Sequence, residues 1–236
     1  MFKLLIDTSP LLNGHSHRGV GQYTRLLTQE LEKNPDLAVF RSDRFSATPC
    51  EADIIHYPFF DLFSPSLPLW KKAKTVVTIH DVIPLKFLDY YSAGKRGMLS
   101  LWRQKMALKS VSAVITDSLA SAADIIKFLH VASEKVTVIP LAANPLLQPA
   151  ELSIQRRVRN KYHLPDKFLL YVGDINYNKN LPQLIKMLKF LPDEIHLVCM
   201  GKNFYPHDIP EWRWIESQLA LSNVTDRVQF ITNLDT

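Results

Sequence analysis

Short apolar runs recur along the chain, at Phe2–Asp7, Ala38–Arg41, Asp53–Tyr57, Thr75–His80, Ala113–Asp117, Val136–Leu141, Phe168–Gly173, His196–Met200 and Val228–Ile231. Several are nearly continuous in apolar residues rather than alternating, the pattern of strands buried on both faces of a parallel sheet. Stretches with helical spacing lie between many of them, over Gly21–Lys33, Lys95–Lys109, Leu119–Leu129, Leu181–Leu191 and Glu211–Leu221. The first is amphipathic, with Tyr23, Leu26, Leu27 and Leu31 at helical spacing. Strands alternating with helices predict an α/β fold with a doubly wound parallel sheet.

One shift in composition divides the chain. After Val136–Leu141 comes the proline-punctuated connector Ala142-Ala143-Asn144-Pro145-Leu146-Leu147-Gln148-Pro149. A basic helical stretch over Ile154–Tyr162 then leads to a fresh strand, turn and helix. This predicts a boundary near residue 148, with domains over 1–148 and 149–236. The second starts three strands and stops, as an unusually small domain or a fragment would.

A hydrophobic share of 47% against 22% charged is ordinary for a soluble globular protein with a core. No run reaches the ~20 apolar residues of a membrane span. Asp7 interrupts the first apolar run, so no secretory signal is expected. Cys50 and Cys199 lie far apart without ligand-spaced partners, which predicts neither a metal site nor a disulfide framework, and a cytoplasmic, reducing home. The formal net charge of +5 suits anionic partners such as phosphates, acidic lipid or nucleic acid, without choosing among them.

Four stretches could carry chemistry. Arg18-Gly19-Val20-Gly21-Gln22-Tyr23-Thr24 follows the first strand and opens the first helix. Glycines there let the backbone approach a ligand, and the helix N-terminus offers N–H groups to an anion or sugar hydroxyl; a tight turn without a ligand explains them equally well. Thr78-Ile79-His80-Asp81-Val82-Ile83-Pro84 places His80 and Asp81 at the end of a buried strand, where open α/β sheets bind ligands. A histidine there can donate to a substrate hydroxyl or carbonyl, or be satisfied by a neighbouring carbonyl.

The stretch from Leu170 to Leu181 repeats the strand–loop–helix arrangement without a P-loop pattern. Lys179 sits where its helix begins, which suits a diphosphate whose charge grows as a bond breaks, or is simply a solvated loop lysine. Ser118, after Asp117, reads as a helix N-cap. Between Tyr90 and Thr116 there is no acidic residue, while Lys95, Arg96, Arg103, Lys105 and Lys109 are basic. Met98, Trp102 and Met106 share one helical stripe with Leu99 beside it, as in an interfacial membrane helix or a core-packing helix with a solvated basic flank. No Ser-His-Asp signature, His-Glu-x-x-His, zinc ligand set or nucleic-acid module is apparent.

In this order the stretches resemble the retaining glycosyltransferases of family 4, or group 1, with the GT-B fold. Arg18–Thr24 resembles the family's glycine-rich loop, and Val77–Pro84 its His-Asp strand end. Thr116-Asp117-Ser118 and Lys135–Pro140 are similar to its last N-domain unit. Tyr171-Val172-Gly173 with Lys179-Asn180-Leu181 resembles the opening of the donor domain, and Asn223–Phe230 a later donor-domain strand. The resemblance implies a Rossmann-like acceptor-side domain and an incomplete Rossmann-like domain for a nucleotide-diphosphate sugar. Gly19, Gly21 and Asp81 would bind substrate, His80 would contact the transferred sugar, and Gly173 and Lys179 would hold the donor phosphates. It further implies sugar transfer with retention to a glycan or lipid-linked acceptor in cell-envelope polysaccharide or glycoconjugate synthesis. No metal, cofactor or nucleic acid is expected; peripheral contact with the inner membrane face through 95–109 is left open.

Two departures stand out. Asp174 occupies a position where members often carry Arg, and the family's Glu-x7-Glu motif is expected beyond Asp235-Thr236. A non-catalytic sugar- or nucleotide-binding module, or a nucleotide-sugar epimerase, are the alternatives.

Overall fold

A computed structural model describes residues 1–43, 52–91, 93–144 and 147–232; Cys50, Pro145, Leu146 and Asp235-Thr236 lie outside the described residues. The chain divides into two compact units, Met1–Leu146 and Leu147–Thr236. The first holds a sheet of β1 (Phe2–Asp7), β2 (Leu37–Ser42), β3 (Ile54–Tyr57), β4 (Lys74–Thr78), β5 (Ala113–Thr116) and β6 (Val136–Val138), in the order β2-β1-β3-β4-β5-β6. Every neighbouring pair is parallel, with Leu4 opposite Ile54, His56 opposite Val76 and Val77 opposite Val114. Strand order reverses at β1 and β3, the place where open sheets bind ligands beyond their strand ends. Val77, Thr78 and Ile79 are consecutively buried, as a strand covered on both faces requires.

Helix α1 (Gly19–Glu32) seats Gly21, Thr24 and Thr28 against the sheet, so small residues form its contact face and the Tyr23–Leu27 edge stays half-buried. Between β3 and β4 the chain crosses over without a helix, as coil over 58–73. Phe60, Leu62 and Leu67 sink into the core from this coil. Its backbone polar groups need partners, and one buried side chain supplies several. Gln104 donates from Nε2 to Asp61 O at 3.0 Å, Ser64 O at 3.0 Å and Ser66 Oγ at 2.7 Å.

After β4 come the one-turn α2 (Ile83–Lys86), then α3 (Gly94–Leu108) and, following β5, α4 (Leu119–Leu129). Helix α3 buries Gly97, Leu101, Gln104 and Leu108, while Met98, Leu99, Trp102 and Met106 face solvent. The Met98–Trp102–Met106 stripe therefore does not pack in the core. Ser118 caps α4, its Oγ accepting from Ser121 N at 3.1 Å. Among the described residues no helix is long and apolar enough to cross a membrane.

The second unit has a parallel sheet in the order β7-β8-β9, from β7 (Lys167–Val172), β8 (Ile195–Met200) and β9 (Val228–Ile231). Helices α5 (Leu152–Lys161), α6 (Leu181–Met187) and α7 (Pro210–Ser222) accompany it. Central β8 buries Leu197, Val198 and Cys199 completely. The expectation of burial on both faces fails for β7, an edge strand whose Leu170 and Val172 are exposed, and α5 buries no residue. An apolar run marks a strand without saying whether both faces are covered.

Arg227 holds the start of β9 to the turn before β8. Its Nη2 donates to Pro192 O at 2.8 Å and Ile195 O at 2.9 Å, and the guanidinium is nearly buried, whereas its ion-pair partner Asp193 is fully exposed. The carbonyl bonds rather than the ion pair carry the stabilisation. Arg227→Met is expected to lower the stability of the second unit by roughly 2 kcal/mol, read as a shift in its urea midpoint; Asp193→Asn should leave that midpoint nearly unchanged.

Candidate functional site

The carboxyl ends of β4 and β5 bring together two side chains that lie far apart in sequence. His80 Nδ1 is 2.7 Å from Asp117 Oδ2, both side chains being about four-fifths buried. The carboxylate holds the imidazole proton on Nδ1 and fixes the ring, leaving Nε2 to act on something else. Nε2 has no hydrogen-bond partner, nor have Asp117 Oδ1 and Thr116 Oγ1, although all three atoms are buried. Unpartnered polar atoms clustered at a strand end mark a place where a ligand or water completes the bonding.

Helix α1 supplies the roof of this arrangement. The Tyr23 ring stands edge-on to His80 with centroids 4.8 Å apart. Its hydroxyl lies 3.2 Å from Thr78 Oγ1, which is also 2.9 Å from His56 Nε2. Burial pushes His56 down to about 4, so this ring is neutral, and it pushes the Tyr23 phenol up. A groove of about 630 Å³ runs past Gly19, Tyr23, Leu27, His56, Ile139 and Leu141. A smaller hollow of about 230 Å³ is lined by Val20, Phe60, Phe63, His80 and Asp81.

The two glycines of the loop differ. A Cβ on Gly21 would lie 2.6 Å from Ser16 O and closer still to His15 O, so this glycine is demanded by the turn packed against it. A Cβ on Gly19 would meet nothing within 4 Å, and the α1 N-cap, Arg18, makes no side-chain cap bond. Gly19 is thus the glycine with open space in front of it. Asp81 Oδ1 accepts from Ile83 N at 3.0 Å, bracing α2 while bordering the smaller hollow.

In the second unit, Gly173 ends β7, its N–H bonded to Met200 O at 3.0 Å, with the Tyr171 hydroxyl where a side chain would stand. Lys179 is exposed and closes a single 3-10 turn, followed by Asn180 in the left-handed region. Pro182 has no N–H, and the Gln183 and Leu184 amides turn back to Asn180 O. Few helix amides therefore remain beside Lys179. Asp174 is spent within the protein, its Oδ1 accepting from Ile175 N at 2.9 Å and Asn203 Nδ2 at 2.7 Å. Among the described residues no cluster of three or more His, Cys, Asp or Glu is placed to hold a metal ion.

Comparison with known proteins shows what this part of the chain is similar to. Residues 33–145, which include His80 and Asp117, match the profile of Glycosyltransferase Family 4. Over that segment the first unit is similar to the glycosyltransferases of this family. The serotype-specific mannosyltransferase WbdA of Escherichia coli is 30% identical over 142 residues, covering 57% of this chain and 17% of that protein. The chain thus spans well under a quarter of that relative's length. Sucrose-phosphate synthase from Thermosynechococcus elongatus matches at a TM-score of 0.65 and 18% identity, over 100% of this chain and 71% of that one. Anabaena HepE, determined in complex with UDP and glucose, matches at 0.58 and 15% identity, over 98% and 69%. At these identities the likeness shows the fold, the GT-B fold expected from the sequence.

In the sequence Asp117 stood out as a strand end in the Thr116-Asp117-Ser118 unit and Tyr23 as an apolar helical position in the Arg18–Thr24 stretch, neither as a site residue. His56 and Thr78 were not singled out. The available signal was the end of the Ala113–Asp117 run, which a parallel sheet sets beside the end of the Thr75–His80 run.

Two outcomes are expected. Gly21→Ala should cost roughly 2 kcal/mol by overpacking in chemical denaturation, whereas Gly19→Ala should unfold like the parent. His56 binds its proton in the unfolded chain near 6.5 but in the folded chain only near 4. Stability contributed by the neutral ring is therefore full above pH 6.5 and is lost as pH falls towards 4, by roughly 3 kcal/mol. His56→Gln, titrated in parallel, should flatten that segment of the curve.

Proposed function

We propose that this chain belongs to a glycosyltransferase that moves a sugar from a nucleotide-diphosphate donor to a glycan or lipid-linked acceptor, with retention, in cell-envelope polysaccharide or glycoconjugate synthesis. It would work in the cytoplasm, with peripheral access to the inner face of the membrane. The observation that carries this reading is His80 Nε2, buried and unpartnered beside Asp117 in the segment that matches the family 4 profile.

Sugar transfer breaks the bond between the anomeric carbon and the donor phosphate, so negative charge collects on the departing diphosphate. Groups already placed to meet that charge lower the barrier. Lys179 and the backbone at Gly173 are assigned to the diphosphate, and the open amides near Gly19 to phosphate or an acceptor hydroxyl. With Nδ1 held by Asp117, His80 turns Nε2 towards a sugar hydroxyl, which fixes the sugar's angle to the leaving group. Asp81 and Gly21 shape the surroundings of that hydroxyl. The apolar groove beside Tyr23 and Leu27 suits an acceptor with an apolar portion. No metal or cofactor is assigned a role.

A second reading, a binding module without turnover, is favoured by Asp174, whose carboxylate stands where a diphosphate would gain from a cation. Assays of sugar release and transfer from UDP- and GDP-hexoses discriminate the two, with sugar or nucleotide bound but unreacted in the second case. In the first, His80→Ala should lose roughly 10²-fold or more in transfer rate with an unaltered circular dichroism spectrum, and Asp117→Asn should fall between. Full activity in His80→Ala would remove His80 from the mechanism.

A further inference from the structure

Helix α3 carries an apolar ridge on the side it does not need for folding. Its inner face is complete, with Leu101, Gln104 and Leu108 buried. On the outer face Leu99 is 67% exposed and Trp102 62%, with Met98 and Met106 beside them. The coil bound to α3 adds a further aromatic, Trp70, which is 88% exposed. Lys71, the next residue, ties that coil to the helix by donating to Ala107 O at 3.0 Å.

Charge around the ridge is of one sign. No Asp or Glu occurs over residues 62–80 or 90–116. On the 100° helical wheel Lys95 and Lys109 fall along the ridge, Lys105 on one flank and Arg96 on the other, with Arg103, whose Nη1 is buried, also on that side. None of these five forms an ion pair among the described residues. The same surface continues into a groove of about 400 Å³ lined by Trp102, Lys105, Met106, Lys109 and His130. Lys135, also at this groove, is committed to the carbonyls of Lys109 and Val111, and Glu134 is the nearest acid in sequence.

We propose that the outer ridge of α3 docks the first unit on an anionic lipid bilayer, with Leu99, Trp102 and Met106 entering the headgroup–acyl boundary and the flanking cations meeting lipid phosphates. An apolar ridge bounded by unpaired cations matches the layering of such a surface, apolar inside and anionic at its rim. A second copy of the chain would bring like charges face to face. A nucleic acid would use the cations and leave the ridge idle. The proposal names the surface for the membrane access put forward above, and it rests on the ridge and its charges rather than on sugar transfer.

Vesicle sedimentation of the 236-residue protein tests it, comparing phosphatidylcholine alone with the same lipid carrying about 30% phosphatidylglycerol. Binding is expected on the anionic vesicles, weakened by salt and nearly absent on the neutral ones. Leu99→Ser/Trp102→Ser and Lys95→Glu/Lys105→Glu should each lower the partition coefficient roughly tenfold or more, with parental thermal melts because the changed residues lie on the surface. Undiminished binding by both double variants would overturn the proposal. So would no binding to either vesicle, a concentration-dependent dimer dispersed by Leu99→Ser/Trp102→Ser in its place, or retention that nuclease treatment abolishes.

Discussion

The close approach of Gly21 to the carbonyls of His15 and Ser16 decides where α1 begins, and the site of the first unit follows from that point. With no side chain at this position the preceding turn can fold against the first helical turn. Thr24 and Thr28 then reach the sheet, and Tyr23 comes to lie between Thr78 and His80. A helix displaced by even one side-chain diameter would put Tyr23 out of reach of both. A side chain at Gly21 would meet the turn, whereas at Gly19 it would meet open space.

Parallel pairing does the rest. Adjacent strands that run the same way finish at the same edge, so His80 and Asp117 meet although 37 residues separate them. Each enters a low-dielectric setting in which the bond between them is strengthened and the atoms outside it are left wanting partners. His56, one strand further along, is kept neutral by its burial. The carboxyl groups beside His80 are thus those of Asp117, bonded to the ring, and of Asp81 and Asp61 on the wall of the smaller hollow.

Much of the fold is legible in the chain, because strands such as Thr75–His80 are buried on both faces and announce themselves as apolar runs. Edge strand β7 has the same signature without the burial, since residue type records strand preference and not what lies alongside. Helix α3 shows the complementary ambiguity. Its ridge through Met98, Trp102 and Met106 and its inner row through Gly97, Leu101 and Gln104 have the same period, and only packing tells inside from outside. His80 could be picked out by position alone, but its bond to Asp117 required the register of β4 on β5. The residues 58–73, with Pro58, Pro65 and Pro68 and no helical stretch, agree with a helix-free crossover, but its bonding partner, Gln104, lies on another element and could not be read from them.

That crossover has a mechanical consequence. Phe60, Phe63 and Asp61 belong both to the wall of the hollow beside His80 and to the coil held by Gln104. Coil without its own ladder of hydrogen bonds has little stiffness of its own and borrows it from whatever it is fastened to. The wall beside His80 is therefore only as rigid as the seating of α3, and in amide hydrogen exchange the two should open as one cooperative segment.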